Sequence, residues 1–186
     1  MFGMVRRMSV NKEELSDVES WLVGSAMRFA SEITAQFKEV PQILAATEGL
    51  SFFLHALRRE VFKPTEFKAW DSIFEPALKQ MMQLFAMTVS AWSGSDIDRN
   101  NLVKDVQNLI SMRNLEYQTI PFMVGNADDR LTVVYSCARR LADSVDPAQR
   151  DALFQAVHKN LSRAVSMELP EQSARLEKLL YGRRAA

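Results

Sequence analysis

Apolar residues recur along this chain at three- and four-residue steps, and proline or glycine interrupts each run. Leu15, Val18, Leu22, Met27, Phe29, Ile33 and Phe37 mark one side of a first helix reaching about Lys38. Asn11 followed by Glu14 reads as a capping box at its start. Pro41 opens a second helix in its first turn, where the missing N–H costs nothing. Ile43, Leu44, Leu50, Phe53, Leu54, Leu57 and Val61 continue that helix, which ends before Pro64.

The pattern over residues 65–92 breaks or kinks near 72–76. Ser72-Ile73-Phe74-Glu75 reads as another capping box, with Pro76 in the first turn. One kinked helix and two separate helices both fit. From Leu78 onward, Met81, Met82, Leu84, Phe85, Met87, Val89 and Trp92 leave almost no polar face. Such a helix is expected to lie centrally or to be covered by a partner.

Ser93-Gly94-Ser95 stops that run, and Asp96 or Asp98 caps the next helix, which extends to about Gln118. An apolar linker containing Phe122 follows. Asn126 with Asp129 starts a further helix ending near Val145. Asp146-Pro147 supplies an N-cap and first-turn proline for a helix carrying Leu153, Phe154, Val157, Leu161 and Val165. Pro170 opens a last short helix ending at Gly182.

The expected fold is therefore all-α: a single-domain bundle of six or seven mostly antiparallel helices over residues 11–182. Residues 1–10 read as a poorly ordered tail and 183–186 as a second one. With 186 residues and 47% apolar content, such a chain can bury a core without metal or disulfide.

Charge and cysteine content narrow the function classes. The 23 basic and 23 acidic residues balance, which argues against nucleic acid as the main partner. Cys137 is the only cysteine, so no intramolecular disulfide forms. It reads as a small buried hydrophobe in mid-helix, with Arg139 and Arg140 pointing elsewhere. The N-terminal stretch, with possible starts at Met1, Met4 and Met8, carries no apolar secretory segment. The longest uncharged run, Gln80 to Ser95, is 16 residues and too short to span a membrane. A cytoplasmic protein without a membrane span is expected.

Signatures of common chemistry are missing: there is no phosphate loop, paired CxxC, HExxH or GxSxG. Glu48 and His55 lie seven residues apart, as do Asp151 and His158. Two helical turns separate each pair by about 10.5 Å, too far for both to bind one metal. No metal or cofactor is expected. Glu48, Ser51 and His55 share a face and together offer an acid, a hydroxyl and a base. A serine in mid-helix, however, has no free backbone N–H beside it to serve as an oxyanion donor. Arg58 and Arg59 either complement the helix C-terminus or clamp an anion.

Three functional readings follow. The leading one is a non-enzymatic helical interaction or regulatory protein, a homodimer formed through Leu78, Met82, Phe85 and Trp92, with Phe122 added. The second is a binding module for an apolar or amphipathic small molecule. Its pocket would be lined by Phe52, Phe53, Met81, Phe85 and Trp92, with His55 or Arg59 as polar anchor. The third is a hydrolase or metal enzyme centred on Glu48 and His55. A filled core with a flat apolar face would favour the first reading, and a pocket reaching His55 the second or third.

Overall fold

A computed structural model describes residues 12–61, 79–88, 91, 99–120 and 127–181. Among these residues there are seven α-helices and no strand. They are α1 (Lys12–Gln36), α2 (Gln42–Val61), α3 (79–88), α4 (Arg99–Gln118), α5 (Ala127–Ala142), α6 (Arg150–Met167) and α7 (Leu169–Tyr181). The all-α bundle expected from the periodicity is the fold observed.

Helix α1 buries the line Val18, Leu22, Ala26, Phe29 and Ile33. After a short turn the Pro41 carbonyl accepts from the Ala45 N–H at 3.0 Å, so Pro41 sits just before α2. The two helices form an antiparallel hairpin, in which Trp21 meets Phe53 edge-on at 5.7 Å. Nearer the turn, Gly49 faces Phe29. A Cβ on Gly49 would lie 2.7 Å from Phe29 Cδ1, closer than real contacts allow. Glycine is thus what lets the helices approach there.

Helix α2 is the hub of the bundle. Every residue from Ala45 to Arg59 is buried, because α1, α4, α5 and α7 pack around it. The sequence pattern left the apolar run at Leu78–Trp92 either central or covered by a partner, and the helix found at the centre is α2. Within α3, Met81, Met82, Phe85 and Ala86 are buried, while Gln80, Gln83, Leu84, Met87 and Thr88 are exposed. So α3 is an outer helix with one buried face. Two methionines and a phenylalanine on that face are enough to fix it, and the rest of its apolar content faces outward.

The other sequence-read boundaries shift by up to three residues. Asp146 Oδ1 accepts from the Ala148 N–H at 2.9 Å, with Pro147 next to it, as a cap should. That cap closes a 3-10 turn over Pro147–Gln149, and α6 begins only at Arg150. Helix α7 begins at Leu169, so Glu168 is the single residue between α6 and α7. Its carboxylate accepts from Arg28 Nη2 at 2.9 Å and Trp21 Nε1 at 3.3 Å, tying that corner to α1. The expected capping box at Asn11, the break near 72–76, the caps at Asp96 or Asp98 and the Phe122 linker lie outside the described residues.

One connected core runs through all seven helices. Cys137 is fully buried within it, as a small hydrophobe should be.

Candidate functional site

The polar residues of α2 lie inside the protein. Glu48, Ser51 and His55 follow the same inner face as Ala45 and Phe52, and each is at most 1% exposed. A buried carboxylate needs compensating charge and donors. Glu48 receives both from two other helices. Arg113 of α4 donates through Nε to Glu48 Oε1 at 2.6 Å. Arg140 of α5 donates through Nε to Glu48 Oε2 at 3.2 Å.

The two arginines share a second carboxylate. Arg113 Nη1 donates to Glu116 Oε2 at 3.1 Å, and Arg140 Nη1 pairs with Glu116 Oε1. Two acids and two guanidinium groups therefore form a charge-balanced quartet that joins α2, α4 and α5. Glu48 is its dry end and Glu116, 43% exposed, its wet end.

Tyr117 closes the inner side of this quartet. Its hydroxyl accepts from Arg140 Nη2 at 2.6 Å, and the guanidinium carbon lies 4.9 Å from the ring centre. The same hydroxyl donates to the Cys137 sulfur. Burial, and next the Glu48 charge, push the Cys137 thiol up to about 12, although Arg140 and the Tyr117 hydrogen bond oppose this. Burial also drives the Tyr117 hydroxyl well above its ordinary value, helped by the Cys137 sulfur. Burial works against the Arg140 charge. The surrounding Tyr117, Glu48, Cys137 and Glu116 outweigh it and raise the pKa of Arg140. At neutral pH Tyr117 and Cys137 are therefore neutral.

His55 packs against the other side of Tyr117, with ring centres 5.0 Å apart. Burial, then the charges of Arg59 and Arg58, pull its pKa down to about 3. The imidazole is thus a neutral part of the core. Arg59 Nη2 donates to the Gln118 carbonyl at 3.3 Å and lies 3.5 Å from that of Tyr117, so it closes the C-terminal end of α4. The Ser51 hydroxyl donates to the Thr47 carbonyl at 2.8 Å, one turn back in its own helix.

The structure therefore gathers some of the residues singled out in the sequence and separates others. Phe52, Phe53, His55, Arg59 and Phe85 are all buried side chains of the packed interior. Met82 and Phe85, expected at an interface, are core residues at the α3 inner face. Leu78, Trp92 and Phe122 lie outside the described residues. Asp151 and His158 do not gather further ligands, and His158 stacks on Phe154 at 5.8 Å. Among the described residues, no three His, Cys, Asp or Glu side chains converge as a metal would require. No helix among them is long and apolar enough to cross a membrane.

Sequence reasoning missed Arg113, Glu116, Tyr117 and Arg140. Arg140 was expected to point away from Cys137, but it lies one turn beyond it and turns inward to Glu48. The outward member of the pair is Arg139, which bonds Asp143 at 3.3 Å. A signal was available. Arg113 continues the buried line Val106, Ile110 and Tyr117, and a charge on an apolar stripe demands a buried partner. Glu48 on the α2 stripe was that partner.

Among the described residues, clefts also open elsewhere on the surface. One, of about 210 Å³, lies between α1 and α6 and is lined by Glu32, Gln36, Lys159, Asn160 and Arg163. Glu32 there already pairs with Asn160 and, at 3.7 Å, with Arg163. Another, of about 190 Å³, lies between α1 and α3.

Compared with protein-family models, curated proteins and solved structures, the chain matches none. The fold and site define it as a helical bundle whose hub helix is locked by a buried ion-pair quartet.

Proposed function

We propose that this chain is a non-enzymatic helical interaction or regulatory protein that self-associates as a homodimer through apolar residues on the outer faces of α3 and α4. One observation carries the reading. Leu84 and Met87 on α3 are 55% and 52% exposed, and Met112 and Leu115 on α4 are 60% and 66% exposed. Each pair is three residues apart, so its members adjoin on one helix face. Single exposed apolar residues are ordinary, but adjoining large ones at helical spacing make a contact surface. Methionine suits such surfaces because its side chain adapts.

The interface expected around Met82 and Phe85 is thereby moved around the α3 axis to Leu84 and Met87. The zero net charge favours association, since two copies do not repel at long range. Symmetric dimers are the commonest closed assembly. A lone thiol held unpaired and buried suits a reducing, cytoplasmic setting.

The other readings have less support. An apolar-ligand module needs a cavity at Phe52, Phe53 and His55, and neither cleft described above is lined by them. A hydrolase needs a free Glu48 carboxylate and a free Ser51 hydroxyl, and both are engaged internally.

Light scattering on the purified protein tests the proposal. A dimer is expected, and a Met112→Glu/Leu115→Glu variant is expected to be a folded monomer with an unchanged helical circular dichroism spectrum. A monomeric wild type across the accessible concentration range would sink the reading.

A further inference from the structure

The α1–α3 cleft contains a carboxylate that no group among the described residues neutralises. Glu19 lines the cleft with Ser16, Ser20 and Val23 from α1 and Gln80, Met81 and Leu84 from α3. Val23 and Met81 form an apolar floor. Among the described residues, no cation or hydrogen-bond donor pairs with Glu19. Burial alone holds its carboxyl above the ordinary range, with no neighbouring charge contributing. A half-buried acid with hydroxyls around it and an apolar wall fits an ammonium group on an aliphatic stem.

The outer face of α4 offers that group. Lys104, Asn108, Met112 and Leu115 succeed one another at four-, four- and three-residue steps, in one line along the helix. Lys104 is exposed and, among the described residues, also lacks an ion-pair partner. One surface thus carries an unpaired acid beside Leu84 and Met87. The other carries an unpaired base in line with Met112 and Leu115.

We propose that these two surfaces dock on each other between two copies of this chain. Lys104 of each copy enters the α1–α3 cleft of the other and pairs with Glu19, while Met112 and Leu115 lie over Leu84 and Met87. In a two-fold arrangement this contact forms twice and closes the dimer. The ion pair fixes which faces meet, and the apolar pairs hold them together. The inference rests on the self-association proposed above and adds its geometry.

Charge exchange tests it by analytical ultracentrifugation of the full chain. Glu19→Lys and Lys104→Glu each place like charges together, and each is expected to weaken the dimer about tenfold or more. The Glu19→Lys/Lys104→Glu double variant restores opposite charges and is expected to return to within about threefold of wild type. Unchanged thermal unfolding of each variant's monomer confirms that the fold is intact. Single variants that dimerise like wild type, or a double variant no tighter than the singles, would overturn this pairing and leave self-association standing. A wild type that never dimerises would instead remove the self-association reading itself.

Discussion

Arg113 of α4 holds the Glu48 carboxylate of α2 at 2.6 Å, across 65 residues of sequence. The pair lies in the interior, with Glu48 1% and Arg113 18% exposed. Removing one member of such a pair leaves the other charged, buried and uncompensated. Glu48→Ala removes the buried carboxylate and leaves Arg113 and Arg140 sharing only Glu116 at the wet end, and is expected to destabilise the fold by about 3 kcal/mol in urea unfolding. The surface pair Arg139–Asp143 provides the contrast: Arg139→Ala is expected to cost at most about 0.5 kcal/mol. Equal losses at both sites would mean the quartet does not hold α4 and α5 to the hub.

The glycines of α1 and α2 should respond to alanine in opposite directions. At Gly24, on an exposed part of α1, an added Cβ meets nothing within 4 Å. Gly24→Ala is expected to stabilise by about 0.5–1 kcal/mol, the ordinary helix-propensity gain. At Gly49 the same methyl drives into the buried Phe29 ring. Gly49→Ala is expected to lose about 1–3 kcal/mol despite the better propensity. Thermal melts of the two variants settle the signs.

His55 should make stability depend on pH in one direction. Its pKa is about 3 in the fold against an ordinary 6.5. Between those values the unfolded chain binds a proton that the folded chain refuses. Stability therefore falls as pH drops from about 6.5 towards 3, by up to about 1.4 kcal/mol per pH unit, and above 6.5 this contribution is level. The difference between wild type and His55→Gln isolates it from carboxylate titration. Parallel stability–pH curves for the two proteins would contradict a neutral, buried imidazole.

Cys137 is expected to be inert in the native state. The thiol is fully buried and its ionisation is pushed up to about 12, so neither access nor thiolate is present. Ellman's reagent at mildly alkaline pH should modify it only as fast as the chain unfolds. Rapid labelling of the folded protein would show that the Tyr117–Cys137 side of the quartet opens on its own.

What the sequence disclosed follows from what local patterns encode. Helix periodicity is a property of neighbouring residues, so α1, α2, α6 and α7 were readable almost to their ends. The cap at Asp146-Pro147 was readable too, although the 3-10 turn after it was not. Depth in the bundle is a property of distant partners. The apolar run Leu78–Trp92 fitted either a central helix or one covered by a partner, yet α2 with its Glu, His and two Arg is the buried one. The hub tolerates its buried carboxylate because Arg113 and Arg140 reach Glu48 from helices far along the chain. A charge in an apolar stripe shows that a partner exists without naming it. Pairing two such charges from separate helices, Glu48 with Arg113, was the inference left undrawn.

The corner at Glu168 has a consequence for synthesis. Helix α7 covers α2 and α1, and Glu168 and Arg175 fasten onto Trp21, Arg28 and Asp17 from across 140 to 158 residues. The α1–α2 hairpin emerges from the ribosome long before these groups exist. It must wait with the bed for α7 open to water, so the nascent chain carries a sticky, half-built intermediate until translation has passed Leu180. Chaperone demand should therefore concentrate in that interval, and any shortening of α7 should extend it indefinitely.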